Sequence, residues 1–195
     1  AEETGLDLGV DTPDLETALF KLGGLARIIG ATLRGVSAAL AHTDLQLVLL
    51  IARQGGGSAS VARYLRSGHV DGAVIVSHHG EDGLEKTLET SPVPAVFVGR
   101  PFESADRLFY TDVDNVSAGR MATQHLLGLG RRRVAHIAGP QDMAAGIDRR
   151  TGWLEVLTEA GLRTDASVEV GFSVPEGERA MACLLQSTAL APAHL

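Results

Sequence analysis

The chain has 195 residues, enough for one large domain or two small lobes that bury a sizeable core. Its hydrophobic fraction of 45% and charged fraction of 21% are typical of a soluble globular protein and exclude global disorder. The formal net charge of −7 excludes a duplex-DNA-binding surface spread over this chain, and the single cysteine, Cys183, excludes an internal disulfide or a multi-cysteine zinc site.

Apolar, β-branched segments recur along the chain at roughly even intervals and predict buried strands. A weaker strand is predicted near the start, where Leu6, Leu8 and Val10 alternate with polar or small residues. The stronger candidates, in chain order, are Leu45–Ile51, Gly72–Val76, Ala95–Val98, Val134–Ile137 and Val168–Phe172. None of these segments approaches the roughly 18 apolar residues of a membrane-spanning helix, so we expect no membrane partner.

Between the predicted strands, apolar residues recur at helical spacing. One such face runs from Leu25 to Leu40 and another from Ala118 to Leu129. Gly68, Gly130 and Gly161 stand where helices are expected to end in a left-handed residue. Strands that alternate with helices in this way predict an α/β fold, with parallel sheets flanked by helices on both faces.

The segments that follow the predicted strands are the first places to look for a site, because ligands of such sheets bind outside the carboxyl ends of the strands. These segments are rich in polar and small residues, as a ligand crevice requires. They cover residues 11–14, 53–58, 77–82, 99–102 and 139–150.

Several patterns that suggest other chemistry are incomplete. His78 and His79 are adjacent in a loop and project in different directions, which favours a solvated loop over a metal site. The run Asp112–Asn115 lacks the glycine and the distal glutamate of a calcium-binding loop, and capping of the next helix is the simpler role for Asp114 or its neighbour Asn115. The three arginines from residue 131 favour a solvated rim over a nucleic-acid site.

One ordered set of residues is more specific than these patterns. Its members, in chain order, are Val70–Val76, Val93–Pro101, Asp114 and Asn115, Gly119, His125 and Leu126, Leu129 and Gly130, Arg132–Ala135, Gly139 and Pro140, Arg149, Gly152 and Trp153, Leu157, and Glu159–Leu162. This set resembles the effector-binding domain of LacI/GalR-family transcriptional regulators. The resemblance extends over most of the chain, from about residue 25 to residue 185.

The resemblance implies a periplasmic-binding-protein type I fold, in which two α/β lobes joined by crossover strands hold a small effector, commonly a sugar or a purine, between them. Residues 1–132 correspond to the N-terminal lobe and residues 133–195 to part of the C-terminal lobe. In the family a helix-turn-helix domain precedes the lobes and binds operator DNA as a dimer. That domain is absent from this chain, which we therefore expect to be an incomplete regulator.

The resemblance also implies candidate effector-binding residues. Arg149 stands three residues before Gly152, where the family places an arginine that donates hydrogen bonds to the effector, and its rigid fork of donors suits sugar hydroxyls or a carboxylate. Phe172 matches an aromatic position that can cover the apolar face of a sugar or a base. Packing in the core is the alternative role for Phe172.

Three further residues follow predicted strands. Arg100 lies where the family often has Asp-Arg-Pro, but Gly99 replaces the acidic residue of that motif. Asp14 and Ser77 end the first and third predicted strands, where each side chain either faces the ligand cleft or caps a helix.

The leading functional hypothesis is a non-enzymatic sensor whose small effector, a sugar or related metabolite, favours one arrangement of the lobes and so changes the operator affinity of an attached DNA-binding domain. The second is an exported solute receptor of a sugar transporter, but Ala1–Glu3 lack the basic and apolar regions of a signal peptide, so we expect a cytoplasmic protein. The third is an enzyme that uses His78, Asp82 or Cys183, which lack recognisable catalytic spacing. We expect a homodimer, with no cofactor and no metal.

Overall fold

The computed structural model describes residues 24–51, 57–80 and 83–186. The chain divides into two compact units, residues 1–51 and residues 52–195. No described helix is long and apolar enough to cross a membrane.

In the first unit, helix α1 spans Gly24–Leu40, as its apolar periodicity predicts. The prediction of a strand at Leu45–Ile51 was wrong. This segment is irregular, and all of its residues except Leu47 are exposed. An extended segment becomes a strand only when a neighbouring strand takes up its backbone hydrogen bonds, and none of the residues that the structure describes does so here. The weaker strand predicted at residues 6–10 lies outside the described residues.

The second unit contains a parallel sheet of three strands in the order β1–β2–β3. They span Ala73–Val76, Ala95–Val98 and Phe109–Thr111. β2 has the predicted bounds, whereas β3 was not predicted because its three residues are too short to give a pattern. Helices α2 (Gly57–Arg66) and α3 (Leu84–Glu89) cover one face of the sheet.

The core beneath these helices is built from alternate residues of the strands. Phe97 is fully buried among Val61, Leu65 and Leu88. The opposite face presents the row Val74, Val96 and Phe109, which are 47%, 41% and 77% exposed. Among the described residues of this unit, the sheet is therefore covered on one face only, whereas we predicted cover on both faces.

A second parallel sheet pairs β4 (His136–Ala138) with β5 (Ser167–Glu169). Helices α4 (Asn115–Gly128), α5 (Ala144–Glu159) and α6 (Val174–Gln186) accompany it. Asp114 caps the start of α4, as predicted, by accepting a hydrogen bond from the Ser117 amide at 2.9 Å. Gly68, Gly130 and Gly161, the predicted C-cap residues, have positive φ values of 64–79°.

Close backbone contact joins α4 and α5. A side chain at Gly119 would overlap the carbonyl oxygen of Arg149, and one at Gly152 would overlap that of Val116. These two glycines therefore allow the helix axes to approach closely, which sets the position of the residues that α5 presents at its N-terminal end. Trp153, which is 2% exposed, anchors the other side of α5 by donating a hydrogen bond from Nε1 to the carbonyl of Val134 at 3.3 Å.

Candidate ligand-binding site

The segments that follow the strands of the two sheets meet. The Gly80 amide, after β1, donates a hydrogen bond to the carbonyl of Asp142, after β4, at 2.9 Å. His79 Nδ1 lies 2.8 Å from Asp142 Oδ2, and both side chains are about one third exposed. The structure thus brings together, at one place, the carboxyl ends of strands from two different sheets.

Arg100, which follows β2, reaches across to α5. Its Nη2 donates hydrogen bonds to both carboxylate oxygens of Asp148 at 2.7 Å, and its backbone amide donates to Asp112 Oδ2 at 2.9 Å. The hydrogen bond to Asp148 raises the pKa of Arg100 above its ordinary value, while partial burial acts in the opposite direction. The guanidinium is therefore a permanent cation held at a defined place.

Arg149 is held by a buried amide. Asn115, at the start of α4, is 2% exposed, and its Oδ1 accepts a hydrogen bond from Arg149 Nε at 2.9 Å. Its Nδ2 donates to Asp112 Oδ1 at 3.1 Å and to the carbonyl of Val113 at 3.2 Å. The prediction of a loop over residues 139–150 was wrong at its end, because α5 begins at Ala144 and presents Arg149 from a helix.

These contacts form one continuous network. Asp148 and Arg149 are neighbours on α5, Asp148 binds Arg100, Arg149 binds Asn115, and Asp112 links Arg100 to Asn115. The network places two arginine donors and two carboxylate acceptors beside each other on partly exposed surface. Such a mixture of charged donors and acceptors suits a ligand rich in hydroxyl groups.

Two exposed aromatic rings lie beside the same loops. Phe172, in the turn after β5, is 42% exposed and packs on Gly139, and Phe102, after β2, is 38% exposed and packs on Gly80. The buried carboxylate of Glu85 fixes the loop that carries Phe102, because it accepts hydrogen bonds from the amides of residues 102, 103 and 104 at 2.6–3.1 Å. An exposed ring on each loop provides the apolar surface on which sugar rings pack.

The remaining predicted residues are less informative. Ser77 follows β1 with a φ of 57°, a left-handed conformation that is rare outside glycine, and it is half-buried. Asp14 lies outside the described residues.

The two adjacent histidines have different surroundings. The prediction of a solvated loop was wrong for His78, which is 7% exposed, packs edge-on against Phe97, and lies 3.6 Å from Glu85 Oε1. His79, by contrast, reaches Asp142. Within the described ranges no three histidine, cysteine or acidic side chains are grouped as a metal ion would require.

Sequence reasoning assigned no role to Asp148 or Phe102, and it considered Asn115 as a helix cap and as part of the family motif but not as a partner of Arg149. An aromatic residue after a predicted strand was an available signal for Phe102. Nothing in the local sequence pointed to Asp148, because its partner Arg100 is 48 residues away.

Comparison with known families decides where the chain belongs. A family model described as periplasmic binding proteins and the sugar-binding domain of the LacI family matches residues 31–192. The chain belongs to this family. The α/β class and the periplasmic-binding-protein type I-like fold predicted from the LacI/GalR resemblance are thereby confirmed.

Individual LacI-type relatives agree with the family model. The transcriptional regulator CelR of Thermobifida fusca is 42% identical over 154 residues, which cover 77% of this chain and 45% of CelR. The regulator AglR of Rhizobium meliloti is 31% identical over 136 residues, covering 70% of this chain and 38% of AglR. The chain therefore spans less than half the length of either curated regulator.

Solved structures show the same likeness. A complex of CelR with cellobiose superposes with a TM-score of 0.72 at 40% identity, covering 77% of this chain and 47% of the CelR chain. A LacI-family regulator from Mycobacterium smegmatis superposes with a TM-score of 0.65 at 29% identity, covering 78% of this chain and 54% of that chain.

Proposed function

We propose that this chain is the effector-sensing part of a LacI-type transcriptional regulator and that its effector is a glucose disaccharide of the cellobiose type. The observation that carries the proposal is the network of Arg100, Asp112, Asn115, Asp148 and Arg149 at the meeting point of strand ends from two sheets. The likeness to the CelR–cellobiose complex supports the choice of sugar.

In this proposal Arg149 and Arg100 donate hydrogen bonds to sugar hydroxyls, and Phe172 covers an apolar face of the sugar. Ser77, which follows β1, is assigned to the same cleft. Residues 1–132 and 133–195 contribute to different lobes, and the sugar bridges them. The sugar then favours the lobe arrangement to which it binds more tightly. The difference in binding free energy between the two arrangements is what can change the affinity for the operator.

The proposal extends to partners and location, on the likeness to LacI-type regulators. The regulator is a non-enzymatic, cytoplasmic homodimer that contacts operator DNA through a helix-turn-helix domain outside this chain. A solute receptor of a sugar transporter has a related fold, but the matched relatives named above are transcriptional regulators, which favours the sensor.

Isothermal titration calorimetry of the 195-residue chain tests the proposal directly. Cellobiose is expected to bind at least about tenfold more tightly than maltose, its α-linked isomer, because hydroxyl positions set by the glycosidic bond must match fixed donors and acceptors. Ribose provides a smaller control sugar. Absence of heat with every one of these sugars would overturn the proposal.

A further inference from the structure

Asp148 is a carboxylate to which the sequence motifs assign no role. It follows the first turn of α5, its side chain is 18% exposed, and both of its oxygens accept hydrogen bonds from Arg100 Nη2. We propose that Asp148 is a further effector-binding residue, whose carboxylate accepts hydrogen bonds from sugar hydroxyls while Arg100 holds it in place. This inference rests on the proposed function.

Both members of the Arg100–Asp148 pair keep hydrogen-bonding groups that the pair itself does not use. An ionised carboxylate has about four acceptor positions, and Arg100 occupies two of them with a single nitrogen. Within the described part of the chain, Arg100 Nε and Nη1 donate no hydrogen bond. The pair therefore offers free acceptors next to free donors, which is the arrangement that two neighbouring sugar hydroxyls need, since each hydroxyl both donates and accepts.

Asp148 belongs to the same hydrogen-bond network as Arg149. Consecutive residues of a helix point about 100° apart, so Asp148 and Arg149 do not cover each other. Each is nevertheless tied to the same network, Asp148 through Arg100 and Arg149 through Asn115. Helix α5 thus presents an acceptor and a donor at consecutive positions, and each is held by a residue of another segment, Arg100 or Asn115.

Stability alone does not explain the pair. Partial burial of two charges carries a desolvation cost that offsets much of their attraction, so an ion pair of this kind is weak evidence for a stabilising role. The chain contains a contrasting pair, Arg163 with Asp165, whose side chains are 63% and 60% exposed and whose closest contact is 2.6 Å. Arg163 and Asp165 are two residues apart in sequence, and their contact does not join two separate elements. Asp165 is therefore a matched control for the loss of an ion-paired carboxylate outside the site.

The test compares Asp148→Asn and Asp165→Asn in the full chain by calorimetry, with cellobiose and a set of monodeoxy cellobioses as ligands. Asp148→Asn is expected to weaken cellobiose binding about tenfold or more, because a charged acceptor is lost, while Asp165→Asn binds as the wild type does. For the deoxy sugar that lacks the hydroxyl bound by Asp148, the wild type and Asp148→Asn are expected to bind within about twofold of each other. Asp148→Ser provides a second variant in case the asparagine protein loses stability.

Three results would overturn the inference. Equal or tighter cellobiose binding by Asp148→Asn would do so while leaving the proposed function intact. A loss of equal size for cellobiose and for every deoxy sugar would show that Asp148 acts only through the fold. A wild-type chain that binds no saccharide would overturn the proposed function together with this assignment.

Discussion

At the scale of single residues, the candidate site depends on partners that are distant in sequence. Arg149 is positioned by Asn115, 34 residues earlier, and Arg100 by Asp148, 48 residues later. The resemblance to LacI/GalR regulators directed attention to both arginines from their motifs alone. The resemblance did not identify Asp148 as the partner of Arg100. Two side chains form a hydrogen bond only if the fold brings them close together, and no short sequence motif specifies that proximity.

The first residue-scale prediction concerns Arg149. Arg149→Ala is expected to weaken cellobiose binding by about tenfold or more, because a charged donor to the sugar is lost. The variant also leaves Oδ1 of the buried Asn115 without its arginine, so the free energy of unfolding should fall by about 1–3 kcal/mol. Calorimetry measures the first effect and thermal unfolding the second.

Arg163→Ala is the matched control, because Arg163 is exposed and its one ion-pair partner among the described residues is Asp165. It should change neither cellobiose binding nor, beyond about 1 kcal/mol, stability. If Arg149→Ala bound cellobiose as tightly as the wild type, its assignment to the site would be wrong.

At the scale of elements, predictions were most accurate where the signal lies within one segment, as apolar periodicity or as a helix cap. The apolar periodicities predicted α1 and α4, and β2 was predicted residue for residue. Predictions were less reliable where tertiary contacts decide. Leu45–Ile51 has the composition of a strand but pairs with no described strand, whereas β3 exists because Phe109–Thr111 pairs with β2. A strand forms its backbone hydrogen bonds with a neighbouring strand, whereas a helix forms them within its own segment.

The element-scale prediction concerns the contact between α4 and α5. Gly119→Ala or Gly152→Ala is expected to lower the free energy of unfolding by about 2–4 kcal/mol. The added methyl group would overlap the backbone of the facing helix, so the two helices must separate. Separation would also displace Asn115 from Arg149, so cellobiose binding should weaken in parallel. Thermal or urea unfolding measures the first effect.

Gly128→Ala is the control in the same helix, because nothing lies within 4 Å of an added methyl group there. It should be neutral or slightly stabilising, since alanine favours the helix over glycine. Equal stability of the Gly119→Ala and Gly128→Ala proteins would contradict the proposed role of the close helix contact.

At the scale of the whole molecule, much apolar surface is exposed. A groove of about 250 Å³ beside β4 is lined by Leu126, Val134, Ile137, Met181 and Leu184, among others. Two of its large apolar side chains are open to solvent, Leu126 at 39% and Met181 at 48% exposure, and Leu129 and Leu185 elsewhere on α4 and α6 or their ends are 60% and 71% exposed. Exposed apolar surface on this scale is a binding surface or a liability for aggregation.

The corresponding prediction is that the 195-residue chain binds a hydrophobic dye such as anilinonaphthalene sulfonate under native conditions. Met181→Glu, which places a charge in the groove, should lower the dye fluorescence more than Met121→Glu, whose position is 67% exposed and outside the groove. A dye-silent chain with a sharp, cooperative unfolding transition would contradict the prediction and show that these segments are self-sufficient.

The sequence by itself determined the α/β class, the approximate places of most helices, the strands β1 and β2, and membership of a sugar-binding family, because these depend on local periodicity, caps and short ordered motifs. Only the tertiary structure decided that Leu45–Ile51 is not a strand, that His78 is buried against Phe97, and that Asp148 and Asn115 hold the two arginines. These features depend on which surfaces meet after the chain has folded. Contacts between residues 34 or 48 positions apart are set by the packing of whole elements, and no local pattern specifies them.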